Sequence, residues 1–490
     1  MTLRTPIRLL CFLLISLSTA PIFAKTIHIL YFNDFHGQVT EDSQNPGMEK
    51  FASVVKAQEK KYPNYILVAG GDNYQGSIIS NLTYGEPVDA MMKYLNVSAS
   101  AVGNHDFDWT TKWFPIWQQQ GHFTYLAANI FTQKTHQPVN FAKPYIIVNK
   151  DGINIAIIGL STTETPFTTI HTNVANLEFQ TAEKSAQGWI NYLNSGRDKA
   201  GKPDAIIALT HIASEQTNGA IKDKEITSLI KNTKGFDAIL SAHSHQPVAG
   251  KLDNMPVLQA YCYGRDLGDL MLTFNSKNKL VKVTPTLTQI YNHKKNIKPD
   301  PQMTKVYNQY YKKFSNQMAV KIGEATRTLQ AEKKGELSPL GHWVCQVLKE
   351  QTGAQVVLQN EGFFRHDLMK GPITLGQLYQ LFPFDNTAVV LSMTGQDIKQ
   401  AIEHGLNSDI MGATQYAGIT FKQKNKKVIS MMLDDGTLIK MDQSYTVATN
   451  NFMQGNGDGY QFSTMKQIST HPKIIRDILK DYIKAKKRVP

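Results

Sequence analysis

The sequence predicts an α/β protein of two domains, and three observations carry that prediction. Short apolar runs alternate with stretches of helical spacing through the first half, the pattern of layered α/β architecture. Five of those runs end in a residue type suited to holding a metal: Asp34 with His36, Asp72, Asn104, His211, and His243 with His245. The chain has 490 residues, too many for one ordinary core, and its pattern changes near residue 300. An apolar fraction of 41% with 10% aromatics argues against disorder.

The first element is a leader. Arg4 and Arg8 precede the mostly apolar run Leu9 to Leu17, and Ser18, Thr19, Ala20 and Ala24 follow. A charged region, a short hydrophobic region and a small-residue exit are the layout of a secretory signal peptide, read here as residues 1–24 with cleavage after Ala24. The run is too short for a bilayer, which needs about 20 apolar residues. The C-terminal Lys484 to Pro490 is basic and carries no hydrophobic tail. The expectation is a periplasmic or secreted protein without a stable membrane anchor. Cys262 and Cys345 remain after cleavage; they fall in different domains, which predicts buried free thiols. The formal net charge is +12, but the lysines are dispersed and read as solvated faces, so no nucleic-acid partner is expected.

Thr26 to Phe32 is β-rich and empties into Asn33-Asp34-Phe35-His36-Gly37, where Asp34 and His36 alternate onto one side of an extended backbone. Met48 to Lys61 has helical spacing, and Tyr65 to Val68 is a buried strand delivering Gly70-Gly71-Asp72. Pro87 to Leu95 reads as a helix before the strand end Ala99 to Val102, which opens into Gly103-Asn104-His105-Asp106-Phe107-Asp108. Asn104 offers a neutral oxygen ligand. His105 is placed to touch a substrate instead of the metal, with Asp108 to orient its imidazole. Strands follow at Tyr145 to Val148 and Ile153 to Leu160 around the turn Asp151-Gly152, then at Asp204 to Leu209 and Asp237 to Leu240, with helices near Glu183 to Tyr192 and Ile221 to Ile230. Leu267 to Gln289 reads as a closing hairpin, and Met303 to Phe314 as a linking helix.

A single such polar turn is unremarkable, but five in order are not. Oxygen and nitrogen ligands without thiolates suit two ions of the Mn, Fe, Zn, Co or Mg type. Two ions about 3.5 to 4 Å apart clamp the attacking and leaving oxygens of an in-line displacement at phosphorus. Phosphate ester hydrolysis is the reaction that set predicts.

Asp34-Phe35-His36, Gly71-Asp72, Gly103-Asn104-His105-Asp106-Phe107-Asp108, Thr210-His211 and His243-Ser244-His245 together resemble the 5′-nucleotidase family of the metallophosphoesterase superfamily. The resemblance implies a calcineurin-like β-sandwich flanked by helices (αββα) over 25–295, a linker helix over 296–320 and a separate α/β nucleotide-specificity domain over 321–490. It implies that Asp34, His36, Asp72 and His245 hold one divalent ion, that Asp72, Asn104, His211 and His243 hold a second, and that His105, oriented by Asp108, serves the leaving group. Asp106 stands where the family usually has glutamate, and Ser241-Ala242 where it has a glycine pair.

In the second half, Leu337-Ser338-Pro339-Leu340-Gly341 opens a helix through about Lys349, and Val356 to Leu358 is a strand before Gln359-Asn360-Glu361-Gly362-Phe363-Phe364-Arg365. By resemblance the substrate contacts are Arg365, Phe384, Asn386, Phe452 and Asp458: a guanidinium for phosphate oxygens, two rings for a base, and polar groups for the base edge and ribose. Glu361, Phe363 and Phe364 replace the usual glycines, and His342 stands where the periplasmic UDP-sugar hydrolase has an arginine. The expected function is release of phosphate from nucleoside 5′-monophosphates, and from di- or triphosphates or UDP-sugars. The alternatives on the same scaffold are a 2′,3′-cyclic nucleotide 2′-phosphodiesterase/3′-nucleotidase, a thiosulfohydrolase, and a non-catalytic nucleotide-binding surface protein.

Overall fold

The computed structural model describes residues 25–222, 224–331, 336–408 and 412–490; the leader read at residues 1–24 lies outside them. Two six-stranded sheets make the first domain. One runs Leu280–Gln289, Asp266–Phe274, Lys25–Phe32, Tyr65–Ala69, Ala99–Ala101, Thr124–Leu126, and the other Pro247–Leu252, Met255–Ala260, Ala238–Leu240, Ala205–His211, Ile153–Ser161, Tyr145–Lys150.

Strand alternation explains the layering. Along Lys25–Phe32, Ile27, Ile29 and Tyr31 face Ile155, Ile157, Ile207 and Leu209 of the second sheet, while Leu30 and Phe32 face helix residues Phe51, Val55, Val88 and Met91. The second sheet repeats this outward, with Ile158 and Ala208 under Ile190, Leu193, Ile226 and Leu229. The central strands bury both faces, which is why their runs are continuously apolar and not alternating, whereas the edge strands Leu280–Gln289 and Tyr145–Lys150 are partly exposed. The result is helix, sheet, sheet, helix, as expected.

Two local readings change. The helix expected from Ile221 begins at Lys224, because Ala220–Lys222 pairs with Glu215–Thr217 as a small hairpin. The helix Pro301–Met318, capped by the Asp300 carboxylate at the amides of Gln302 and Met303, sends Met303, Val306, Tyr307 and Tyr310 into the first domain's helical layer. It is therefore docked on that domain.

The second domain is built on a five-stranded sheet ordered Gln415–Ala417, Val356–Gln359, Ser444–Asn450, Thr387–Thr394, Lys466–Ile474. Ser338 caps the helix Pro339–Thr352, whose Val344, Val347 and Leu348 pack over that sheet. Cys262 and Cys345 are both buried free thiols.

The parallel strands of the first domain place the site. Lys25–Phe32, Tyr65–Ala69 and Ala99–Ala101 run parallel in one sheet, and Ile153–Ser161, Ala205–His211 and Ala238–Leu240 in the other. Their carboxyl ends open on one side, the position where α/β sheets bind ligands.

Candidate active site

Every candidate metal ligand lies at such a carboxyl end, and the two sheets bring them into two groups: Asp34, His36 and His245, and Asp72, His211 and His243. The backbone works hard to do so. Asp34, His36, Asp72, His243 and His245 all have φ between 47° and 74°, a left-handed conformation that side chains with a Cβ rarely adopt outside sites where the surroundings impose it. Two glycines let the turns approach. A Cβ on Gly71 would fall 2.7 Å from the Gly103 amide nitrogen, and one on Gly103 2.1 Å from Asp72 Oδ1.

Asp106 ties these turns together. Its Oδ2 accepts the amides of Gly103 at 2.9 Å and Asp72 at 3.2 Å. It is a scaffold for the ligand loops, and the shorter aspartate, where the family usually has glutamate, reaches these amides. Burial and the Asp72 charge push its pKa up to about 7.

Hydrogen bonds on the outer side of each ligand fix which atom faces inward. His36 Nδ1 lies 2.9 Å from the Gln75 carbonyl and His211 Nδ1 2.8 Å from that of Gly70. A carbonyl only accepts, so each Nδ1 carries a proton and each Nε2 is turned into the site. The Asn104 amide donates to the Thr168 carbonyl at 2.8 Å, which directs its Oδ1 to within 3.0 Å of His211 Nε2. His36 Nε2 faces His245 Nε2 at 3.1 Å, and His245 Nε2 is 3.3 Å from Asp34 Oδ1.

This arrangement calls for positive charge. Among the described residues Asp34 Oδ1 is buried with no hydrogen-bond partner. Burial alone would lower the His211 pKa, but Asp72 and Asp34 outweigh it and push it up to about 10. A field that retains a proton there retains a metal ion equally well, and the donors fit one. Asp72 Oδ2 lies 3.3 Å from His211 Nε2 and 3.8 Å from His36 Nε2, between the two groups, while its Oδ1 accepts the His105 amide at 2.8 Å.

His105 stands apart from both groups, with Nδ1 2.9 Å from Asp108 Oδ2. Burial lowers its pKa, yet Asp108 and Asp72 more than offset this and leave it above the ordinary value.

A cavity of about 1130 Å³ opens over these groups, large against the roughly 300–1,000 Å³ of small-molecule sites. First-domain residues Asp72, Asn104, His105, His243 and His245 form one wall, and Arg365, Phe384, Asn386, Phe452 and Asp458 the other. All five predicted substrate residues are thus brought to the metal groups. Asp458 Oδ2 accepts the Asn360 amide at 2.7 Å. Glu361 also lines the cavity and accepts the Ala413 amide, which accounts for a carboxylate where a glycine was expected. His342 does not reach the cavity; its ring lies against the Tyr416 carbonyl and Gln346. Trp109, Thr168 and Thr169 line the cavity and escaped sequence reasoning, since no strand ends in them.

A family model described as calcineurin-like phosphoesterase matches residues 27–247, and one described as the 5′-nucleotidase C-terminal domain matches residues 316–467. The two matches are the two walls of the cavity. The chain thus carries a calcineurin-like phosphoesterase domain followed by a 5′-nucleotidase C-terminal domain. The phosphoesterase match and the 5′-nucleotidase relatives make it a metal-dependent phosphoester hydrolase. Among its relatives, the 5′-nucleotidase of Vibrio cholerae is 25% identical, with 93% of this chain covering 90% of that protein. Endonuclease YhcR of Bacillus subtilis is 28% identical over 90% of this chain, which spans only 38% of YhcR. In fold, the crystal structure of a 5′-nucleotidase precursor from Thermus thermophilus matches with a TM-score of 0.81 at 22% identity, covering 95% of this chain and 97% of that one.

Proposed function

We propose that this protein hydrolyses nucleoside 5′-monophosphates, releasing inorganic phosphate, with two divalent ions of the Zn, Mn, Co, Fe or Mg type. The observation that carries the reading is the shared cavity, in which two oxygen- and nitrogen-rich groups from one domain face two aromatic rings and a guanidinium from the other. Asp34, His36, Asp72 and His245 would hold one ion, and Asp72, Asn104, His211 and His243 the other. When bound, the ions supply Lewis-acid polarisation of the phosphoryl oxygens.

The chain's own residues supply the rest. Asp108 takes the Nδ1 proton of His105 as a hydrogen bond, which leaves Nε2 to hold the proton delivered to the departing 5′ oxygen. The Asp108 carboxylate beside the ring raises its pKa, which favours the protonated form. Arg365 holds phosphate oxygens. Phe384 and Phe452 receive the base, with about 1 to 3 kcal/mol of stacking per ring, and Asn386 and Asp458 touch the base edge and ribose. The two rings favour a nucleotide over a small sulfur ester. The test is hydrolysis of AMP, ADP, UDP-glucose and 2′,3′-cyclic AMP with each metal, read by loss of substrate and by the products formed. Preference for the cyclic substrate, or no turnover with any metal, overturns the reading.

Domain limits at 295 and 320 and export after Ala24 belong to the same proposal. Among the described residues no helix is long and apolar enough to cross a membrane. N-terminal sequencing of the mature protein should begin at Lys25.

A further inference from the structure

The His105 and Asp108 pair is not held by its own turn alone. Asp108 gives Oδ2 to His105, and its other oxygen, Oδ1, accepts the Thr169 hydroxyl at 2.9 Å. One residue earlier the Thr168 carbonyl accepts the Asn104 amide. Four residues later Asn173 Nδ2 donates to the Phe107 and Asp108 carbonyls at 2.9 and 3.1 Å. Residues 168–173 therefore fasten both ends of the Asn104 to Asp108 turn. The same stretch touches the second domain: Thr165–Thr168 packs on the Gly457–Gly459 turn that carries Asp458, and a Cβ on Gly455 would lie 3.0 Å from that of His171.

We propose that Thr169 is the positioning residue for leaving-group protonation. A carboxylate bonded through one oxygen can still swing about its Cβ–Cγ bond, whereas one held through both oxygens has its plane fixed. Thr169 is only 2% exposed, so water does not readily replace its hydroxyl, and removing it leaves Asp108 Oδ1 short of a donor. The plane of Asp108 sets the line along which His105 is held, and so the direction in which Nε2 points. This inference rests on the reading that His105 protonates the leaving group.

The test compares Thr169→Val and Thr169→Ser on AMP, whose ribose oxygen needs a proton to leave, and on 2,4-dinitrophenyl phosphate, whose leaving group departs without one. Thr169→Val should lower kcat for AMP by on the order of tenfold or more, a part of the hundredfold or larger effect of a general acid. KM should hold within about twofold and bound metal should be unchanged, because no ligand is altered. The loss on the dinitrophenyl ester should be several times smaller, and Thr169→Ser should restore most of the AMP rate. In an Asp108→Asn background, Thr169→Val should add little, since both act through one hydrogen-bonded unit. Equal losses on both substrates, a rise in KM alone, full additivity with Asp108→Asn, or failure of serine to rescue would each overturn the proposal. His105→Asn, run alongside, separates the two readings. If it too loses equally on both substrates, the leaving-group role of His105 is wrong; if it discriminates and Thr169→Val does not, only the role of Thr169 is wrong.

Discussion

His105 and Phe384 stack across the domain boundary, ring centroids 5.5 Å apart and planes 27° from parallel. Arg365 lies over the same phenyl ring, its guanidinium carbon 5.5 Å from the centroid. Phe452, in contrast, rests on its own domain, where a Cβ at Gly457 would touch its ring at 2.5 Å. The two rings read alike in the sequence, yet one buttresses the imidazole and the other does not.

The two aromatic substitutions should therefore differ. Phe452→Ala should weaken AMP by roughly 1 to 3 kcal/mol in kcat/KM and a small arylphosphate by much less. Phe384→Ala should harm both, because it also uncovers His105. Kinetic constants for the two substrates check this; a Phe384→Ala variant that spares the arylphosphate would refute the buttressing role.

Asp72 is the carboxylate that lies between the two ligand groups. Asp72→Asn keeps its shape and should abolish turnover while leaving the thermal unfolding midpoint near that of the wild type. Activity above about a tenth of wild type, a barrier change below about 1.4 kcal/mol, is incompatible with a bridging role.

His105→Asn should lower the rate for AMP by on the order of a hundredfold or more with metal content intact. Elemental analysis of the purified variant decides: a fall in bound metal would make His105 a ligand.

A fourth expectation concerns stability. Asp89 is buried, accepts the Tyr74 hydroxyl at 2.7 Å and leaves Oδ2 without a partner. Burial pushes its pKa from 3.8 to about 8. Between those values the folded state binds the extra proton, so this group's contribution to stability is present at the acid end. It is lost as pH rises, by about 1.4 kcal/mol per pH unit within the window. Asp89→Asn retains an acceptor for Tyr74 and has no proton to lose. Its stability by denaturant titration should fall less than that of the wild type between pH 5 and about 8; parallel profiles would show that Asp89 is not the group responsible.

Much of this molecule was legible because its central strands are buried on both faces and end abruptly in polar residues. Continuous apolar runs such as Ile153 to Leu160 announce a covered sheet, and the residue after each run falls at the open end. What escaped was everything that depends on a second segment. Asp106 looked like a minor departure, since nothing local says that its carboxylate spans two loops. Thr168 and Asn173 lie in two short helices and Thr169 in the extended link between them, with no periodicity to mark them, and their partners are more than 60 positions away. His342 stands where a related hydrolase has an arginine, but its ring turns toward the Tyr416 carbonyl, a partner that lies 74 positions away. The hairpin at Ala220–Lys222 was hidden because Ile221 fits helical spacing as well as strand pairing.

The separation of the ligand positions along the chain has a kinetic meaning. Asp34 and His245 lie on turns from different sheets, more than 200 positions apart. Neither group can form until both sheets have paired and docked face to face, and closing contacts of such sequence separation is the slow part of folding. Capture of an ion by Asp34, His36 and His245 during refolding would thus report the docking of the two sheets. A nascent chain released before residue 243 would carry four strand-end turns in the right order and hold neither centre complete.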